Sequence, residues 1–117
     1  MSAPHRFIPP LVLMATLAAP IPVLAQDEPD YPAIRRIVSA RCKFCHSAIP
    51  MEDGLNAGSQ PAKGVKFDTP ADVQKFAALM LEQAVKTQRM PPDNATHMTE
   101  AERATLGRWI AAGAKIP

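Results

Sequence analysis

Only two cysteines occur in the chain, and they stand three residues apart with a histidine directly behind them, in Cys42-Lys43-Phe44-Cys45-His46. C-x-x-C-H is the attachment signature of a c-type haem, and the spacing has a physical reason. At the end of a helical turn, two cysteines three apart both reach the vinyl groups on one edge of a porphyrin and form thioether bonds. The next residue then lies beneath the iron, so His46 is the expected proximal ligand. Three other uses of these residues compete: a disulfide, a thioredoxin-type redox pair and a zinc site. A redox pair wants a βαβ context that the sequence lacks. A zinc site wants two more ligands at finger-like spacing, and the other histidine beyond the N-terminal segment, His97, has no cysteine beside it.

The N-terminal segment is different in kind from the rest. Five of the 13 prolines, Pro4, Pro9, Pro10, Pro20 and Pro22, fall in the first 25 residues, where Arg6 is the only charged side chain. A short polar start with His5 and Arg6, an apolar run from Phe7 to Ala19 and a tail ending in Val23-Leu24-Ala25 make a secretory signal, with cleavage expected between Ala25 and Gln26. The rival, a retained membrane anchor, needs about 20 mostly apolar residues, and the prolines interrupt a run already too short. Residues 1–25 are therefore assigned to the signal, and residues 26–117 to a single domain exported to the periplasm, without stable membrane insertion after cleavage. Covalent haem attachment takes place outside the cytoplasm, so the two features agree.

Removal of the signal leaves 92 residues with 22 apolar side chains larger than alanine, cysteines aside. A domain of this size buries only about 60–65% of its unfolded surface, and chains with so thin a core tend to need a disulfide, a metal or a cofactor. Basic and acidic residues in it number 12 and 11. With no run of like charge and no phosphate-tracking stripe, nucleic acid is excluded as an expected partner.

The pattern is all-α. Asp30-Tyr31-Pro32 starts a first helix, with Ile34, Ile37, Val38 and Arg41 at helical spacing to about Cys42. Ser47 to Lys66, with Pro50, Gly54, Gly58, Pro61 and Gly64, reads as a long irregular loop of the kind that wraps around something. Thr69 caps a second helix that has Pro70 in its first turn, Asp72 as the acidic residue of a capping box, and an apolar stripe of Val73, Phe76, Ala77, Met80, Ala84 and Val85. It should stop before Pro91. Thr99-Glu100-Ala101-Glu102 is the capping box of a third helix that buries Leu106, Trp109 and Ile110 and ends at Gly113.

A saturated iron needs a sixth ligand. Met80 belongs to a helical stripe, and Met51 is five residues from His46 and would have to reach round to the other face of the ring. Met98 precedes the Thr99 cap as a staple residue. Met90 is the expected ligand, in a loop where Pro91-Pro92 holds the backbone extended and keeps the second helix out of the site. His97 is the alternative.

Arg41-Cys42-Lys43-Phe44-Cys45-His46-Ser47, Arg89-Met90-Pro91-Pro92 and Leu106-Gly107-Arg108-Trp109-Ile110 together resemble a class I c-type cytochrome over roughly Ile34 to Ala114. The resemblance implies a small cytochrome c fold, three main helices and irregular loops around a covalently bound haem. It also implies a first and a last helix crossing beside the haem with a small residue at the crossing, for which Gly107, Trp109 and Ile37 are suited. More narrowly, Gly64-Val65-Lys66-Phe67-Asp68-Thr69-Pro70 and the run from Arg89 through Met98-Thr99-Glu100 to Ala112 are similar to the cytochrome domain appended to a membrane-bound bacterial urate oxidase. That similarity implies a place in purine or related oxidation; with no multi-span membrane domain in the chain, no oxidase activity carries over. What carries over is the haem c module with its single iron, through Cys42, Cys45, His46 and Met90.

The expected function is a one-electron carrier and not an enzyme. It takes electrons from a dehydrogenase or a quinol-oxidising complex towards a terminal oxidase, as a monomer or as a subunit of a redox complex. Lys43, Lys86 and Arg89 flank the ligand-bearing segments and could steer an acidic partner, with ordinary solvated charge as the competing reading. A haem enzyme or sensor with an open sixth site, such as a small peroxidase, is the other function class, and it requires Met90 not to ligate.

Overall fold

The computed structural model describes Met1, residues 27–50 and residues 60–117; the signal over residues 2–25 and Met51 lie outside the described residues. Every regular element among the described residues is helical, and none is a helix long and apolar enough to cross a membrane.

Helix α1 spans Tyr31–Arg41. The Asp30 carboxylate accepts from the Ala33 N–H at 3.0 Å, satisfying one of the donors that a helix start leaves bare, and Pro32 sits in the first turn where it loses no hydrogen bond. Ile34, Ile37 and Val38 make its buried face. After Arg41 the chain keeps turning: the Cys42 and Lys43 N–H groups both donate to the Val38 carbonyl, and the His46 N–H donates to the Cys42 carbonyl at 3.0 Å. Both cysteines and the histidine are thus carried on the turns that continue directly from the end of α1.

The second expected helix begins as the sequence predicts, but it is not one rod. Helix α2 spans Pro70–Lys75, with Thr69 and Asp72 forming a reciprocal capping box. At Phe76 the backbone opens to φ −98°, ψ 12°, and α3 takes up at Ala77–Met80. The break coincides with the Phe76 ring meeting Phe67 edge-on, centroids 6.1 Å apart. From Leu81 to Lys86 the helix widens to π geometry. There the Thr87 N–H reaches back five residues to the Glu82 carbonyl at 3.0 Å, and Met90 N–H takes the Gln83 carbonyl at 2.9 Å. The Ala84 carbonyl is taken by Arg103. The segment ends at Lys86, several residues before Pro91, with its last carbonyls bonded to Thr87, Met90 and Arg103.

Helix α4, Glu100–Ala111, has the expected capping box between Thr99 and Glu102. It closes on Gly113 at φ +101°, where the Gly113 and Ala114 N–H groups return to the Ile110 and Trp109 carbonyls in a Schellman arrangement. Leu106 and Trp109 are fully buried and Ile110 is half-buried against the core. The fourth member of that face is Arg103, buried in spite of its charge. Helix α4 packs on both α1 and the π-helical segment. Its Gly107 faces the latter: a Cβ there would stand 3.2 Å from Val85 Cγ1, and no atom of α1 lies within 4 Å of it. The small residue thus sets the approach of α4 to Val85 rather than to Ile37.

One buried cluster joins these elements: Ile34, Ile37 and Val38 of α1, Phe67, Val73, Ala77, Met80, Ala84, Met98, Leu106, Trp109 and Ala114. Leu106 lies at its centre with no exposed surface. Leu106→Ala should cost about 2–5 kcal/mol, the usual range for a leucine truncated in a core, and denaturant unfolding of the protein read by circular dichroism measures it.

Candidate cofactor site

His46 is half-buried, and its ring is held from one side. Its Nδ1 lies 2.8 Å from the Val65 carbonyl oxygen, which can only accept, so Nδ1 carries the proton and, in the neutral imidazole, Nε2 keeps its lone pair. The Phe67 ring packs against it edge-on, centroids 5.5 Å apart. The segment that supplies these two neighbours is itself sewn to the cysteine turn. Ala62 N–H donates to the Cys45 carbonyl and Phe67 N–H to the His46 carbonyl.

Immediately after His46, the Asp68 carboxylate accepts from the Ser47 hydroxyl at 2.5 Å and from the Ala48 N–H at 2.9 Å. Burial alone would raise the Asp68 pKa, but these two hydrogen bonds and the charges of Lys43 and Lys66 outweigh it and hold the carboxyl below its ordinary range.

The two thiols are free and unlike each other. Cys45 is exposed. Cys42 borders the apolar cluster, and burial, opposed by the Arg103 charge and reinforced by Glu102, pushes its thiol up to about 12. A thioredoxin-type attacking cysteine has its pKa lowered towards neutrality, so Cys42 is poorly suited to that chemistry.

Met90 is half-buried and packs against the same cluster as Cys42. Its backbone is held on both sides: the N–H donates to Gln83 O at 2.9 Å and the carbonyl accepts from Arg103 Nη1 at 2.8 Å. The surrounding loop is unusual. Gln88, Asp93, Asn94 and His97 all have φ between +49° and +56°. Such a conformation costs roughly 1–2 kcal/mol for a residue with a Cβ, less for Asn and Asp, and persists only where neighbours over-determine it. Asn94 is one such neighbour: its side chain accepts from the Met98 N–H at 2.9 Å and donates to the Met98 carbonyl at 3.1 Å.

The remaining candidates are accounted for. Met80 and Met98 are core residues at 4% and 2% exposure. Met98 precedes the α4 cap, but the staple position inside the helix is Arg103, so Met98 packs in the cluster without an apolar staple partner there. His97 is exposed on the tight turn before α4. Cys42 and Met90 therefore share one apolar cluster, His46 reaches it through Phe67, and Cys45 faces solvent. Among the described residues no three His, Cys, Asp or Glu side chains converge.

Two arginines that the motif reading did not single out tie the cysteine turn to the Met90 loop. Arg41 Nε lies 3.1 Å from both Glu102 carboxylate oxygens, its Nη1 donates to the Thr96 carbonyl at 2.6 Å, and the Thr96 hydroxyl returns a bond to the Arg41 carbonyl at 2.9 Å. Arg103 reaches Met90 from α4. A signal for Arg103 existed: it stands three residues before Leu106 and six before Trp109, a charge on the apolar stripe.

Of the three cations expected to steer a partner, Lys43 acts on Asp68 and Lys86 pairs with Glu82 at 3.8 Å, which leaves Arg89 exposed without an ion-pair partner among the described residues. No protein-family model, curated protein or solved structure matches this chain.

Glu102 joins both halves of the site, and its pKa has a sign. Burial would raise it, but the Thr99 N–H and the Arg41 guanidinium more than offset that and hold it below its ordinary 4.5. Its contribution to stability is therefore present above that value and lost as pH falls through the depressed one. Glu102→Gln should lose less of its thermal midpoint than the unsubstituted chain between pH 7 and about pH 3, as followed by circular dichroism.

Proposed function

We propose that the chain is a small monohaem c-type cytochrome, a periplasmic one-electron carrier with Cys42 and Cys45 holding haem c and His46 and Met90 as its axial ligands. The observation that carries this reading is the state of His46. At the end of C-x-x-C-H, its Nδ1–H is committed to the Val65 carbonyl and its Nε2 is left as a donor atom. The rest of the donor set fits: two unpaired cysteines on one turn, and a methionine whose thioether is soft enough to favour ferrous iron.

When bound, a c-type haem supplies an iron that changes oxidation state by one electron. The chain's own part is to bind, orient and exclude water. The Val65 carbonyl holds the imidazole in one tautomer and orientation and makes it a stronger ligand. Phe67 and, behind it, Phe76 lower the dielectric on that side, and Cys45, with Phe44 at 47% exposure beside it, keeps one edge open to a partner. In this reading the chain carries electrons and makes or breaks no substrate bond. A dehydrogenase, such as one of purine oxidation, or a quinol-oxidising complex is the donor class and a terminal oxidase the acceptor, with the chain acting as a monomer or within a redox complex.

Periplasmic material should carry haem stain through a denaturing gel, have the mass of a chain beginning at Gln26 plus one haem, and show the weak ferric band near the red end that methionine sulfur gives. A high-spin ferric spectrum with rapid ligand uptake would point instead to the open-site enzyme or sensor. Cys42→Ala with Cys45→Ala should abolish the holoprotein and leave a largely unfolded chain by circular dichroism. Native helix content in that variant would count against the cofactor as part of the core. Met90→Ala should keep its haem, lose the methionine band and fall in reduction potential; an unchanged potential moves the sixth ligand to His97 or another methionine.

A further inference from the structure

The Arg103 side chain is taken almost wholly out of water, at 4% exposure. A buried cation is tolerated only when its donors meet acceptors, and whatever supplies those acceptors is then fixed in place as well. Here two of the acceptors are main-chain carbonyls: Nη1 donates to the Ala84 oxygen at the end of the helical run and to the Met90 oxygen at 2.8 Å. Nη2 donates to Asn94 Oδ1 at 3.2 Å, the same atom that accepts from the Met98 N–H. The Nε–H has no hydrogen-bond partner; the carboxylate beside it is Glu100, 3.7 Å away, which also accepts from Gln88 at 3.1 Å. One rigid fork thus holds the helix end at Ala84 and two points, Met90 and Asn94, of a loop in which four of ten residues, 88 to 97, are non-glycine residues in the left-handed region. Local turn bonds, such as Asn94 N–H to the Pro91 carbonyl and His97 N–H to the Asn94 carbonyl, shape the loop, and the Arg103 fork is what ties it to α4.

We propose that Arg103 is the positioning residue for the Met90 thioether: by gripping the Met90 carbonyl together with Ala84 and Asn94, it sets where that side chain stands and keeps it there. The inference rests on the cytochrome reading with Met90 as the sixth ligand. A planar guanidinium meets all three oxygens at once, which a lysine ammonium on a flexible stem does not, so Arg103→Lys is not conservative here.

The test uses the full haem-loaded chain as wild type, Arg103→Lys, Arg103→Gln and Met90→Ala. Four properties are read: the ferric methionine band, the rate of imidazole uptake, the thermal midpoint, and amide hydrogen exchange at Met90 against Ile37 and Val38 of α1. Both arginine variants should retain haem and α1 protection. They should take up imidazole and exchange the Met90 amide roughly tenfold faster or more, the ratio expected when a charge-assisted hydrogen bond is lost. A lowered thermal midpoint with wild-type imidazole uptake and wild-type Met90 exchange would mean a merely structural arginine and would overturn the proposal. Should Arg103→Gln fail to fold, Arg103→Lys decides alone. An unaltered band in Met90→Ala overturns the inference together with the ligand assignment. Loss of the band there, with Arg103→Lys like wild type, overturns the arginine's role only. If the wild type carries no haem, the cytochrome reading falls, and Met90 exchange in Arg103→Lys still decides whether the guanidinium holds the segment.

Discussion

A guanidinium that leaves water has to find oxygen for its N–H groups, and in this chain that requirement organises everything between the π-helical segment and α4. Arg103 claims the Ala84 and Met90 carbonyls and the Asn94 side chain. The chain turns out of the helix just beyond Ala84, and Arg103 ties the Met90 loop to α4. Leaving those buried acceptors bare costs on the order of 1–3 kcal/mol for each group left unsatisfied. The loop is consequently tied to the same helix that centres the core with Leu106 and Trp109.

The cysteine turn is anchored by different means. Arg41, the last residue of α1, meets Glu102 in the first turn of α4, while Asp68 holds Ser47 and Ala48 just beyond His46. Glu102 serves twice, accepting from the Thr99 N–H within its capping box and from Arg41 across the helix pair. The same carboxylate that starts α4 thereby joins it to the end of α1. The apolar cluster holding these pieces together has few large members, among them Trp109, Ile34 and Leu106. Chains of this size with so little to bury are where polar ties and a bound group carry weight out of proportion to their number.

Local rules were legible wherever a residue acts through its immediate neighbours. Asp30, Thr69 and Thr99 cap the helices that they introduce in sequence, and Gly113 closes the last one, because caps and stops depend on three or four adjacent residues. Met80 was legible as core from its place on a stripe. The expected continuity of the second helix was not met. Its apolar stripe continues through Phe76 to Val85, but the backbone opens at Phe76, where the ring meets Phe67, and widens after Leu81, and no local pattern announces either change. Gly107 was legible as a point of close approach but not for its partner, since Val85 and Ile37 are equally apolar in sequence.

The sequence by itself determined the helical class and the capped helix starts, which depend on residue type and short spacing, and it singled out Cys42, Cys45, His46 and Met90 as the candidate donors. Only the tertiary structure decided that the Val65 carbonyl selects the His46 tautomer, that Cys42 and Cys45 differ in burial, and that Arg103 grips Met90. The two hydrogen bonds depend on which carbonyl and which cation are brought within reach across 19 and 13 residues of chain, the burial of Cys42 on which apolar neighbours close over it, and no local pattern encodes those choices.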